Sequence, residues 1–346
     1  VSLSIIKALG KRLAYPVLGA GVRGRLAGDT LVLMFHRVLP RDHPEWPTVE
    51  RPFTLHADVF EALCAFVARE FEVVDLEALT GGVPPAGAGP RVLFTFDDGW
   101  RDTLTVAGPI VRRHGIRPTL FLAGSVLDDP RDVWWQDAVI RLANTARLDD
   151  RIGHPAVRAA LHEAAGRASG HERVCLLLKA LAAMPDAVFA SAVDAIVGEA
   201  YPRPPASGRQ MLRRADLPAL REDFDLGVHG FSHVPLDLVD DPVAELGRAI
   251  EALGAPCRAV SLPHGRGGAR VLDACATLGL RHVFTSEAVI NGGGPSGDGI
   301  RGRVNVAHEL LGTTVGRFDA AHAFFALLRR PVRPVRALTG AACATS

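Results

Sequence analysis

The sequence predicts an α/β protein built on a mostly parallel sheet or barrel, with one long helical stretch set into it. Three observations predict it. Short runs rich in β-branched and aromatic residues alternate with amphipathic segments of helical period. The residues best suited to chemistry stand directly after those runs, where parallel α/β sheets carry their sites. Residues 138–210 place Leu161, Val174, Leu177, Leu178, Leu181, Phe189, Val193 and Ile196 at helical spacing and carry no strand signal, so they read as a helical insertion packed by its apolar stripe.

Residues 1–29 read as an N-terminal amphipathic arm, in which Ile5, Ile6, Leu9, Leu13 and Val17 are interleaved with Lys7, Lys11, Arg12, Arg23 and Arg25. The cations interrupt the apolar stretch, which argues against a secretory leader, and no apolar run is long enough to span a bilayer. The arm packs at the domain edge or lies on a membrane surface through residues 1–25. A barrel over 30–320 follows. Its strands are expected at Thr30 to His36, Arg91 to Phe96, Pro118 to Leu122, Asp225 to Val228, Arg258 to Leu262 and His282 to Thr285. Helices are expected at Asp58 to Glu70, Thr103 to His114, Asp241 to Leu253 and Ala269 to Leu278. Gly81 to Pro90 and Gly292 to Gly299 read as loops, and residues 321–346, with Pro331 and Pro334, as a C-terminal tail.

Composition narrows the function. With 39 basic and 38 acidic residues and 48% hydrophobic residues, the chain is neither disordered nor a disulfide scaffold. Its net charge of +1 gives no electrostatic case for a nucleic-acid partner. Only Lys7, Lys11 and Lys179 are lysines, which leaves little room for Schiff-base chemistry. The five cysteines include no C-x-x-C pair, so a reducing compartment and a cytoplasmic location are expected.

Three segments carry candidate chemistry. Leu93-Phe94-Thr95-Phe96-Asp97-Asp98-Gly99-Trp100 puts two adjacent carboxylates after an apolar strand, where a charge needs a partner; the alternative is a pair of helix-capping aspartates. His229 and His233, four residues apart, can converge on one metal. With 13 histidines in 346 residues, roughly half a pair at this spacing is expected by chance, so its place after a strand matters more than the spacing. Leu33-Met34-Phe35 ends in His36 and Arg37. Together, Asp98, His229 and His233 would make a two-histidine, one-carboxylate site of the kind zinc hydrolases and non-haem iron oxygenases use, and the extra carboxylate of Asp97 favours hydrolysis.

Thr95-Phe96-Asp97-Asp98-Gly99 with His229-x-x-Ser232-His233 resembles the polysaccharide deacetylases, the carbohydrate esterases of the NodB homology type. Pro118-Thr119-Leu120-Phe121-Leu122 and Ser261-Leu262-Pro263-His264-Gly265 extend the resemblance over approximately residues 30–310. The resemblance implies a distorted (β/α) barrel and metal-dependent removal of N-acetyl groups from an amino-sugar glycan or glycolipid, with zinc the expected ion. It implies Asp97 as general base and Asp98, His229 and His233 as metal ligands. No late Leu-x-His motif is present, whereas Leu33-Met34-Phe35-His36 is similar in character. That resembles the exopolysaccharide-type subgroup whose final strand has moved to the N-terminal side, and it implies His36 as the acid that protonates the departing nitrogen. His264 and Ser261 depart from the tyrosine or arginine and the arginine common in the family. Arg303 resembles a late arginine of the subgroup, able to assist base or substrate or else to lie on the surface. Gly99, Trp100 and Arg101 are candidate oxyanion donors, and Trp134 or Trp135 a candidate sugar platform or core residue. A carbohydrate-binding protein without turnover and a metal amidase on a small non-sugar substrate are the alternatives.

Overall fold

The computed structural model describes residues 3–81, 87, 89–144, 154–165, 171–203, 208–292, 299–312 and 317–335. Most of the two glycine-rich loops expected at 81–90 and 292–299, and the tail beyond 335, lie outside the described residues. The chain runs through α1 (Leu3–Arg25), β1 (Thr30–Phe35), β2 (Arg37–Leu39), β3 (Thr54–His56), α2 (Ala57–Glu70), β4 (Glu72–Val73), α3 (Leu76–Thr80) and β5 (Arg91–Phe96). A π turn at Thr103–Ala107 leads into α4 (Gly108–Arg113) and β6 (Thr119–Leu122). Four helices follow, α5 (Trp135–Asn144), α6 (Pro155–Ala165), α7 (His171–Ala182) and α8 (Asp186–Ala200). The barrel resumes with α9 (Leu217–Asp223), β7 (Asp225–Val228), α10 (Pro242–Leu253), β8 (Ala259–Ser261), α11 (Ala269–Thr277), β9 (His282–Phe284), β10 (Gly299–Arg301), β11 (Val304–Asn305) and α12 (Ala320–Leu328).

Nine strands form one parallel sheet in the order β10-β9-β8-β7-β6-β5-β1-β11, with β4 also on β5. The fold is a distorted (β/α) barrel. Helices cover its outside, so β1 and β5 are buried on both faces and read as unbroken apolar runs. The period of two sorts their residues. Leu31, Leu33, Phe35, Phe94 and Phe96 pack outward under the helices, while Val32, Leu93, Phe121, Ala259 and Phe284 fill the interior. Extending that alternation puts Thr95 and Asp97 on the face of Leu93, His36 on the face of Val32, and Ser261 on the face of Ala259. Gly227 lies at an interior position already filled: a Cβ there would stand 2.4 Å from the Phe121 ring. His229, two residues on, takes the same inward direction.

The two edges of the sheet are served by one short piece of chain. Gly299–Arg301 pairs with β9 and Val304–Asn305 pairs with β1, with Gly302 and Arg303 between them. The ladder breaks at Gly302, and Asn291 replaces it: its amide donates to Gly302 O at 2.9 Å and its side-chain oxygen accepts from Gly302 N at 2.8 Å.

Several short elements have no clear sequence signal, namely β2, β3, β4, β10 and β11, because two or three residues show no period. Part of the expected tail is ordered helix. Residues 321–328 belong to α12, whose Phe324 packs against Tyr15 at 5.1 Å and Phe71 at 6.2 Å, so Pro331 follows the helix instead of preventing it. The helical stretch inside the barrel starts at Trp135, three residues before 138, and α8 ends at Ala200.

An added Cβ at Gly302 would sit 2.4 Å from Glu287 O, a backbone atom that cannot swing aside. Gly302→Ala is therefore expected to destabilise the chain by about 1–3 kcal/mol. The check is urea unfolding, where the midpoint should fall with little change in slope.

Candidate metal and catalytic site

The carboxyl ends of β1, β5, β7 and β8 carry the site. After β5 the chain turns through Asp98 at φ 78° and Gly99 at φ 110°. Gly99 has no room for a side chain, because a Cβ would lie 2.9 Å from Leu122 Cδ2. After β7 the turn passes through Gly230 at φ 70° and His233 at φ 58°. Buried Glu245 of α10 shapes it by accepting from Phe231 N at 2.9 Å, Ser232 N at 2.6 Å and Ser232 Oγ at 2.7 Å. Asp98, His233 and His264 (φ 57°) are the three non-glycine residues with positive φ among those described, and all three stand here.

Asp98, His229 and His233 are buried, and each can offer a ligand atom such that all three lie within 4.8 Å of one another. Hydrogen bonds fix how they face. Ser261 O can only accept, so His229 Nδ1 at 2.8 Å carries a proton and Nε2 points inward as a lone pair. Gln136 donates its amide to Ser232 O at 2.7 Å, which turns its oxygen to His233 Nδ1, also at 2.7 Å. His233 is thereby set in the same tautomer. Trp100 Nε1 takes Asp98 Oδ2 at 2.9 Å and leaves Oδ1 facing His233 Nε2 at 3.2 Å and His229 Nε2 at 3.5 Å. Two ligands at 2.1 Å from a tetrahedral cation are about 3.4 Å apart, so the donor set fits a metal ion. Burial lowers His229 to about 4, which keeps it neutral. Burial pushes Asp98 up, but positive charge at the neighbouring imidazoles, His233 first and then His36 and His229, draws it well below the usual carboxylate range.

Asp97 lies beside this group, its Oδ2 3.7 Å from His229 Nε2. Arg303 forks it with two bonds of 2.7 Å. The other donors of Arg303 reach Ser261 Oγ at 2.7 Å, Thr95 Oγ1 at 3.2 Å and Thr285 O at 3.1 Å, so all five N–H groups have acceptors although the side chain is buried. Burial pushes Asp97 up, yet Arg303, with His229 and His36, outweighs it and holds the carboxyl ionised. The reading of Arg303 as a surface residue is excluded. His36 stands after β1 with its ring 4.6 Å from Phe53 and its buried Nδ1 without a hydrogen bond. Burial lowers its pKa, against the pull of Asp98 and Asp97. The ring of His264 lies 4.9 Å from that of His233.

The proposed oxyanion donors fare differently. Gly99 N donates to Asp97 O at 3.0 Å and Arg101 N to Gln210 O at 2.7 Å, so both are occupied, and the Trp100 amide is the member of the trio without such a bond. Trp134 and Trp135 are buried: Trp134 packs edge-on against Trp100 at 5.4 Å and lies 5.0 Å from His233, and Trp135 meets Phe189. Neither can be a sugar platform. Gln136 carries no sequence signal as a site residue, and Thr95 shows only as the first residue of the Thr95–Gly99 motif, because each acts through a contact across the chain that a linear sequence does not display.

No family model matches the chain, and no curated protein does. Among solved structures it is similar to the Streptococcus pyogenes deacetylase PplD in complex with acetate, at 14% identity and a TM-score of 0.50, covering 82% of this chain and 94% of that one. It is similar also to a polysaccharide deacetylase from Bacillus cereus, at 13% identity and a TM-score of 0.52, covering 87% of this chain and 69% of that one. The chain has the polysaccharide deacetylase fold, and within it a buried Asp-His-His group able to hold a metal.

Gln136→Leu removes the acceptor at His233 Nδ1 while keeping the size of the side chain. Divalent-cation affinity should drop about 10–100-fold, measured by competition with a chromophoric chelator, with the unfolding midpoint little changed.

Proposed function

We propose that the chain is a metal-dependent hydrolase that removes N-acetyl groups from an amino-sugar-containing polysaccharide, oligosaccharide or glycolipid. The observation that carries this reading is the buried Asp97 carboxylate, held ionised by Arg303 directly beside three converging metal donors. Asp98, His229 and His233 would hold the cation, and the extra carboxylate of Asp97, which suits hydrolysis, favours zinc where the ligand set alone does not separate it from iron. A bound cation would act as a Lewis acid, polarising the amide carbonyl and acidifying water.

The chain's own residues supply the proton transfers. Asp97 accepts a proton from the attacking water, and Arg303 holds both of its oxygens so that it stays oriented and charged until then. Ser261 Oγ, 3.2 Å from Asp97 Oδ2, adds a second restraint. His36, directly after the strand that pairs with β5, gives a proton to the departing amine nitrogen. The Trp100 amide is left to donate to the developing oxyanion. The fold shared with polysaccharide deacetylases supports an acetylated glycan as substrate.

The test is acetate release from N-acetylglucosamine oligomers of graded length. Turnover should disappear in excess chelator and return with zinc. Asp97→Asn should lower kcat by about 10²–10⁴-fold while zinc content is unchanged, and His36→Ala should lower kcat more than it raises KM. Full activity in Asp97→Asn would sink the base assignment. Turnover of small non-sugar amides with none of any acetylated sugar would replace the substrate class.

A further inference from the structure

Helix α1 plays no part in the site, and its charge is unlike that of the rest of the chain. Residues 1–28 contain Lys7, Lys11, Arg12, Arg23 and Arg25 and no acidic residue, so the remaining 318 residues hold 34 basic against 38 acidic ones. Two of the three lysines in the whole protein are in this helix. One of its faces is committed to the fold. Arg12 pairs with Asp319 at 2.8 Å, Lys11 meets His322 at 3.2 Å, Tyr15 packs on Phe324, and Arg23 pairs with Glu70 at 2.5 Å. Those two carboxylates leave the region an excess of three positive charges.

The opposite face is apolar and uncovered. Leu13 is 68% exposed, Val17 76% and Leu18 53%, the three most exposed large hydrophobic side chains among the described residues. Leu13, Val17 and Gly21 follow one another at four-residue steps, and Pro16, Ala20 and Gly24 beside them are also exposed. No charge interrupts this face from Leu13 to Val22; Lys11 and Arg12 bound it at one end and Arg23 and Arg25 at the other. No described helix is long and apolar enough to cross a membrane. We propose that the outer face of α1 docks on an anionic lipid bilayer surface, with Leu13, Val17 and Leu18 entering the headgroup region and exposed Arg25, backed by the surplus positive charge of the helix, drawing lipid phosphates. A second copy of the chain suits the face less well, because self-pairing would bring cations of one sign together without any acid on the helix to answer them.

The inference is independent of the hydrolase reading, and its test uses no glycan. The full chain is sedimented with vesicles of phosphatidylcholine alone and with about one third phosphatidylglycerol. The chain should pellet with the anionic vesicles only, and the bound fraction should fall as salt is raised to about 0.5 M. Leu13→Ser/Val17→Ser/Leu18→Ser, on an exposed face, should keep the unfolding midpoint and the cation affinity and lower vesicle partitioning at least about tenfold. Three results would overturn the proposal. They are no pelleting with anionic vesicles, equal partitioning by the triple variant, or a dimer in analytical ultracentrifugation that the triple variant dissolves.

Discussion

The ion pair between Arg303 and Asp97 is the interaction on which the rest of the structure turns. It joins the residue that bridges the two edges of the sheet to the carboxylate at the end of a central strand. A guanidinium buried this completely is tolerable only when every donor is answered, and here a carboxylate, two hydroxyls and a carbonyl answer all five. The link between the two sheet edges and the charge state of the candidate base thus meet in one side chain. Removing either partner would strand a charge where water does not reach it.

The metal group depends on a second set of contacts, and these come from outside the barrel strands. Gln136, in the first turn of α5, sets the tautomer of His233, and the neighbouring Trp134 lies against the same ring. Tyr201, just past α8, donates to Asp137 and receives a bond from Arg141. Gln210 then reaches Glu45, which pairs with Arg37, whose guanidinium lies 4.1 Å over the Trp100 ring that bonds Asp98. The helices between β6 and β7 therefore support the site from their first turn to the residues after their last.

How much of this was legible in the sequence follows from what a linear pattern can encode. Six strands show themselves because a parallel sheet buried on both faces demands continuous apolar runs, and the carboxyl-end rule then picks out His36, Asp97, Asp98 and His229. His233 came from spacing. Arg303 was only half legible: its place in the chain resembles a family arginine, while its burial depends on a break in pairing at Gly302 that no periodicity announces. Gln136 left no trace, since its function lies in a contact with a residue 97 positions away. The α12 helix falls almost wholly inside the expected tail, since Pro331 and Pro334 mark an irregular segment without fixing where the helix before it ends. The tryptophans at 134 and 135 were ambiguous for a physical reason, since an indole suits a core and a sugar face equally well.

The local geometry around Asp98 explains why so much scaffolding converges on three residues. Both imidazoles turn unprotonated nitrogens toward one ionised oxygen, an arrangement with no attraction of its own. Asp98 and His233 also hold positive φ, a conformation that costs of order 1–3 kcal/mol per residue. The chain keeps them there through Trp100, Gln136, Ser261 and Glu245, none of which needs a cation to make its bond. A positive charge at the focus turns the electrostatics from unfavourable to favourable, whether it is a metal ion or a proton shared between nitrogen and carboxylate. Protons and metal then compete for the same lone pairs. Burial keeps His229 hard to protonate, so its Nε2 lone pair stays available at the focus.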